Sequence, residues 1–206
     1  DKTKSGFDDP KTIEGMQVIE NIIKDGSMPD YSVVSENETT ELMENGTVAM
    51  TFQGSWSIPE LANNDYIKEN CDIAPLPSGP EGTKSITNGL GWAASAQGDN
   101  TEGAWKLIEY LGSDEAQTKQ AELGVTMSAY EGVSDTWINS HPEFNMQVYL
   151  DMMENSQPYP SSKNTQVWFQ MEQDKMVDAF SGAKSMAEAC LDIAEEMNGF
   201  LAEEQQ

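Results

Sequence analysis

Four consecutive residues offer the clearest set of binding groups in the sequence: Gln53, Gly54, Ser55 and Trp56. They supply an amide, a hydroxyl, backbone N–H groups and a large aromatic face. The apolar C–H face of a pyranose packs on an indole, whereas its hydroxyls pair with amides around the rim. This combination therefore favours a neutral, hydroxyl-rich ligand.

Two other tryptophans, Trp92 and Trp168, share the setting of Trp56. Each stands beside a turn, glycines or a helix start, and not in the middle of an apolar stripe. For all three rings the residues leave two interpretations open: a place in the core, or an exposed face for stacking. Trp105 differs, because a helical apolar stripe surrounds it and predicts a core residue. Trp137 is undetermined.

Most other chemistries lack the residues that they need. The only histidine, His141, stands beside a proline at a predicted helix start, so a surface or capping role is favoured over that of a catalytic base. The sequence has no His or Cys cluster for zinc and no glycine-rich phosphate loop, and we predict no cofactor and no metal. Paired carboxylates for glycoside hydrolysis stay open, since 36 acidic residues allow many pairs and no spacing singles one out.

Charge limits the partners of the chain. Its net charge is -25, its 11 basic residues are all lysine, and 37% of its 206 residues are hydrophobic. Nucleic-acid binding and adhesion to an anionic membrane are therefore disfavoured. The acidity is consistent with a cationic ligand, but its dispersal along the chain favours a solvated exterior. Cys71 and Cys190 are too few for a disulfide framework; one long-range bridge or a buried Cys190 thiol are both open.

The elements around the four residues follow from local patterns. Alternating Val48, Met50 and Phe52 predict a strand with one buried face. Ser57 with Glu60 forms a predicted capping box that opens a helix. Strand, turn and helix place residues 53–56 at the carboxyl end of a strand, where open α/β sheets bind ligands.

The rest of the chain reads mainly as helices joined by turns. A strand is predicted at 71–76 and an extended segment at 86–95. Helices are predicted from Pro10 to Gly26, over 101–111 and from Ser113 to Gly124. Two more are predicted to begin with capping boxes, one over 35–43 and one from Ser140. Two closing helices, separated by Gly182, complete the chain.

Four motifs, in order, resemble one protein family. Residues 45–56 resemble the pattern G-x-V-A-M-x-x-x-G-x-W, and 72–80 resemble a short strand ending in Pro-Leu-Pro. Residues 88–95 and 102–117 are similar to a strand followed by the helices E-A-A-W-x-F-x-x-Y-L-x-S-x-E-A-Q. These motifs are those of extracellular solute-binding proteins of sugar ABC importers, the maltose-binding-protein-like group.

The resemblance implies an α/β, periplasmic-binding-protein-like fold of two lobes joined by a hinge. It assigns residues 1–90 and 126–206 to the second lobe and 91–125 to the first, most of which an absent N-terminal portion would supply. The helical hairpin that carries Trp105 is then expected to leave apolar surface uncovered. This stretch alone is expected to bind sugar weakly or not at all.

The resemblance also implies the site and the partners. Trp56 corresponds to a stacking tryptophan of the second lobe, and Trp168 to another stacking aromatic. Trp92, Asn88 and the glycines near them fall where the chain crosses into the first lobe. The expected ligand is a mono- or oligosaccharide, bound without catalysis by these rings with Gln53, Ser55 and Asn88 as hydrogen-bonding candidates.

The expected partner is an ABC importer permease. The family resemblance also implies an extracellular, lipid-anchored cell-surface or periplasmic location, and a monomer at full length. Three rival hypotheses stay open: a cationic ligand such as a polyamine on the same fold, a carbohydrate-active enzyme, and a plain interaction domain whose tryptophans are all interior.

Overall fold

The computed structural model describes residues 3–205, which form eleven α-helices and two short strands. The helices are α1 (Pro10–Lys24), α2 (Tyr31–Glu36), α3 (Thr39–Glu44), α4 (Ile58–Leu61), α5 (Asp65–Asn70), α6 (Thr101–Leu111), α7 (Asp114–Glu122), α8 (Ser134–Ile138), α9 (Gln147–Met153), α10 (Thr165–Phe180) and α11 (Met186–Glu203). The strands are β1 (Ser85–Thr87) and β2 (Ser156–Pro158). The chain divides into two compact units.

The first unit joins the chain up to Leu42 with the chain from Pro160 onward. Helices α10 and α11 pack side by side, and α1 packs against α11. Ser185 and Glu188 form a reciprocal capping box at the start of α11. Helices α10 and α11 are the two predicted closing helices, and α11 buries one face at helical spacing: Met186, Ala189, Cys190, Ile193, Ala194, Met197 and Leu201.

The second unit runs from Met43 to Tyr159 around the fully buried ring of Trp137. The Tyr149 ring meets Trp137 edge-on, with 5.9 Å between ring centroids. Strands β1 and β2 pair in parallel, with Ser85 opposite Ser156. The buried core residues come from α4, α5, α7, α8 and the loops on either side of α8: Ile58, Leu61, Ile67, Ala121, Val133, Trp137, Phe144 and Met146.

Several predicted helices are confirmed close to their expected ends. Asp9 caps α1 by accepting a hydrogen bond from the Lys11 N–H, and Pro10 begins the helix. Helix α6 spans 101–111 as predicted, and Ser113 caps α7 by accepting from the Ala116 N–H. These ends were predictable because the capping residue and the apolar spacing agree.

The two strands predicted at 47–52 and 71–76 are wrong for the described residues. Neither segment is a strand in the structure, and the predicted buried face of the first is open, with Met50 88% and Phe52 75% exposed. A strand needs a hydrogen-bonded neighbour, and within residues 3–205 these segments pair with none. In the predicted extended segment 86–95, only the first two residues pair with another strand: they belong to β1, which pairs with β2.

The three predicted capping boxes are also wrong. Residue 35, where the first box was expected to open a helix, lies inside α2. The predicted helix 35–43 is interrupted at Asn37, which is extended and donates its side-chain amide to the Val33 carbonyl at 2.8 Å. The Ser57 and Ser140 hydroxyls donate to carbonyls of the preceding turn, those of Gly54 and Trp137, and do not accept from the following turn. The helix expected from Ser140 begins only at Gln147.

One further prediction is corrected by burial. Trp105 is 60% exposed and not in the core, because α6 buries none of its residues. This agrees with the expectation that the hairpin leaves apolar surface uncovered in this chain. The His141 side chain is partly buried, at 18% exposed, and a Cβ at Gly124 would clash with its ring. Both Cys71 and Cys190 are free thiols.

Candidate functional site

Trp56 lies at the centre of a single 3-10 turn, Ser55–Ser57, that leads directly into α4. The N–H and the hydroxyl of Ser57 both donate to the Gly54 carbonyl, at 3.1 and 2.8 Å. Ile58 and Leu61 follow and are buried in the core of the second unit. Hydrogen bonds from Ser57 to the Gly54 carbonyl therefore hold the turn from within, and the buried residues that follow it anchor it in the core.

The indole of Trp56 points outward from this anchored turn. It keeps 70% of its surface exposed, whereas its neighbours Ser55 and Ser57 are buried. The ring lies over Gly54, so that a Cβ built there would stand 2.5 Å from Cε3 and nearer still to Cζ3 and Cη2. A large aromatic surface is thus presented to solvent by a well-supported backbone, as stacking requires.

The polar residues predicted beside Trp56 differ in what they offer. Gln53 is partly buried, and within residues 3–205 its side-chain amide has no hydrogen-bond partner. Ser55 is only 9% exposed, so its hydroxyl is much less accessible. Gln53 is therefore the better placed of the two predicted side-chain donors.

Asn88 and Trp92 lie on the irregular segment that follows β1, and both are exposed. Trp92 lies at an apolar groove of about 250 Å³ between the segment 92–95 and one face of α6, which includes Ala104, Ile108 and Leu111. Trp56 is not among the residues that line this groove. The neighbouring Leu90 is 91% exposed, so apolar surface extends along this segment.

Trp168 differs from the other two rings because it is buried. Its exposed fraction is 5%, and its indole N–H donates to the Ser162 hydroxyl at 2.9 Å. The Ser162 hydroxyl donates in turn to the Glu204 carboxylate at 2.7 Å, and this bond holds the pKa of Glu204 below its ordinary value. An enclosed ring offers no open face, so the expected stacking role of Trp168 finds no support in this geometry.

The titratable groups show no catalytic arrangement among residues 3–205. Burial raises the pKa of Glu172 on α10, a property that a general acid needs. Glu172 lies, however, near the buried thiol of Cys190 on the packed helix α11, and the pKa of that thiol is raised by burial and by the charge of Glu172. The His141 Nδ1 lies 3.4 Å from Glu143, and within residues 3–205 its Nε2 has no hydrogen-bond partner, so no serine or cysteine is bonded to it as a nucleophile. No group of three or more metal-binding side chains is found in the described part of the chain.

Sequence reasoning missed two surfaces. Met50 and Phe52 belong to an exposed apolar stretch, although their alternation predicted a buried face. A polar groove of about 520 Å³ opens beside β1 and β2 and is lined by residues 81–84 and 154–157. The groove lies where the two paired strands begin, and neither three-residue strand carries a pattern long enough to predict the pairing.

Comparison with a solved structure defines the class of fold. The ABC substrate-binding protein Lmo0181 from Listeria monocytogenes, in complex with cycloalternan, matches this chain with a TM-score of 0.84 at 15% identity. The match covers 97% of this chain and 52% of that one, so the chain spans about half the length of that protein. The fold is the α/β, periplasmic-binding-protein-like fold of substrate-binding proteins.

A family model identifies the chain more closely. The model of bacterial extracellular solute-binding proteins matches residues 2–118, more than half of the sequence. The chain therefore belongs to the family of bacterial extracellular solute-binding proteins. No curated protein matches it by sequence. Within residues 3–205, none of the helices combines the length and the apolar composition that crossing a bilayer requires.

Proposed function

We propose that this chain forms one wall of a carbohydrate-binding cleft, and that the complete protein delivers a mono- or oligosaccharide to an ABC importer permease without chemical change. The observation that carries the proposal is Trp56, an exposed indole on an anchored turn in a chain of this family. A pyranose would stack on the ring, and the Gln53 amide would bind its hydroxyls. Trp92 and Asn88 are the next candidates to contact it.

The proposal includes two lobes, with residues 91–125 in a different lobe from 1–90 and 126–206. Its support is the exposed apolar surface of α6, where Trp105, Leu107 and Tyr110 are all more than half exposed. A soluble protein covers apolar surface of this kind with another part of the fold or with a partner. Ligand contact with both lobes would favour the closed form that the permease accepts.

The proposed setting is the outer face of the cell membrane or the periplasm, with a lipid anchor on the complete protein and a monomeric state at full length. The family to which the chain belongs is extracellular. The high negative charge suits a solvated surface there. The structurally similar Lmo0181 was solved in complex with cycloalternan, which makes this oligosaccharide a reasonable first ligand to test.

Tryptophan fluorescence during titration tests the proposal. Cycloalternan and maltose are titrated into the chain up to millimolar concentrations, because one wall of a cleft is expected to bind weakly. The expected result is a saturable change in emission that Trp56→Ala abolishes. Trp105→Ala is the matched control, since Trp105 is also exposed, at 60%, and is not part of the proposed site.

Two outcomes would favour the rival hypotheses. A saturable response to spermidine without one to either sugar would support a cationic ligand. Release of reducing sugar from the oligosaccharide, lost on changing one carboxylate, would show an enzyme. Equal responses of Trp56→Ala and Trp105→Ala would contradict the assignment of Trp56.

A further inference from the structure

The contact between Gly54 and Trp56 is closer than any side chain at position 54 would allow. An ideal Cβ at Gly54 would stand 2.5 Å from Cε3 of the indole and closer to both Cζ3 and Cη2. Carbon atoms that are not bonded approach to about 3.5–4.0 Å. Even alanine would therefore displace the ring from the position that it occupies.

The same distances show which part of the ring meets the glycine. Cε3, Cζ3 and Cη2 are consecutive atoms of the six-membered ring, and a point beyond its edge cannot be this near to all three. The Cβ position therefore lies over one face of the ring, and the Gly54 Cα lies on that same side. One face of the indole rests on the main chain, and with 70% of Trp56 exposed the opposite face is open.

The conformation of Gly54 does not itself require glycine. Its φ of -87° and ψ of 165° are extended values that any residue adopts. The Gly54 carbonyl is held by two hydrogen bonds from Ser57, so the backbone under the ring is fixed. What position 54 requires is space for the indole.

We propose that Gly54 is a positioning residue for Trp56: its bare Cα lets the indole lie flat on a fixed main chain, so that one face only is available to a ligand. The role in recognition rests on the proposed function, whereas the role in placing the ring does not. A ring held in this way would accept a ligand with one flat apolar face, such as a pyranose, and would lose less side-chain freedom on binding.

Fluorine NMR of the chain labelled with 5-fluorotryptophan tests the placement directly. The five tryptophans give five resonances, each assigned by its Trp→Phe variant. Gly54→Ala is expected to shift the Trp56 resonance and to increase its sensitivity to exchange of H₂O for D₂O, because a ring lifted from the backbone is more hydrated. The resonance of the buried Trp137 and the thermal midpoint are expected to stay unchanged.

Gly6→Ala is the matched control, because a Cβ there would meet nothing within 4 Å in the described structure and its φ is not in the left-handed region. It should leave the Trp56 resonance in place. An unchanged Trp56 resonance in folded Gly54→Ala would overturn the proposal. So would a shift of Trp56 and Trp137 together, which would show a general disturbance of the second unit.

A double-mutant cycle tests the consequence for binding. Gly54→Ala is expected to weaken oligosaccharide binding by about 2- to 12-fold, the effect of immobilising one side chain, and to have no further effect in the Trp56→Ala background. Additive losses would contradict action through Trp56. Absence of any sugar binding by the complete protein would refute the proposed function, while the fluorine resonances of this chain would still decide the placement of the ring.

Discussion

Ile58 should be the residue whose truncation most clearly damages the turn that carries Trp56. It is 1% exposed and follows the turn directly, within the core cluster around Trp137. Ile58→Ala removes both branches of the side chain beyond Cβ. At about 0.8 kcal/mol for each carbon removed, the lost transfer free energy is about 2.4 kcal/mol. The remaining cavity raises the expected loss to about 2–5 kcal/mol.

Urea denaturation monitored by circular dichroism measures this loss as a lower midpoint at unchanged slope. Ile58→Val should cost only about 0.5–1.5 kcal/mol. Ile86→Ala removes the same atoms from a side chain that is 63% exposed and should cost far less. If Ile58→Ala and Ile86→Ala lower the free energy of unfolding equally, the anchoring of the turn by the core is refuted.

Two further predictions concern the first unit. Burial raises the folded-state pKa of Glu172, so its contribution to stability is complete below the unfolded pKa and is lost as the pH rises through the folded one. Glu172→Gln should therefore raise the free energy of unfolding at about pH 7 and leave it nearly unchanged at about pH 3. If urea denaturation shows the larger gain at about pH 3, this prediction is refuted. Ser185→Ala removes the hydroxyl that accepts from the Glu188 N–H and should cost about 1 kcal/mol. An unchanged thermal midpoint would contradict that role of the capping box.

Helices were the predictable part of this fold, because their signals are local. Asp9 and Ser113 each cap a helix where the sequence indicates: Asp9 precedes Pro10, and Ser113 precedes the acidic Asp114 and Glu115 of a first helical turn. Such elements satisfy most of their hydrogen bonds internally, so their sequence carries most of the information that specifies them.

The strands were not predictable in the same way, since a strand depends on a partner. The alternation of Val48, Met50 and Phe52 describes a residue preference, but no described segment pairs with this stretch. Hydroxyls posed a second difficulty, because Ser57 and Ser140 can donate backward or accept forward. Both donate to a preceding carbonyl, a choice that depends on turn geometry.

The sequence placed Trp56 in a turn but left open whether its ring is buried or exposed. Its 70% exposure agrees with a ring available for stacking, and the site itself stays a prediction. Trp168 has similar local surroundings but is enclosed by its own unit, where Ser162 accepts its indole N–H. Burial of this kind depends on tertiary packing, which the residues beside a tryptophan do not reveal.

Fluorine chemical-shift mapping of the 5-fluorotryptophan-labelled chain during titration with cycloalternan tests the stacking role of Trp56 most directly. We predict a saturable shift of the Trp56 resonance, while the resonances of the buried Trp137 and Trp168 stay in place. If oligosaccharide binding to the folded chain shifts the resonances of other rings while that of Trp56 stays in place, Trp56 is not a carbohydrate-stacking surface.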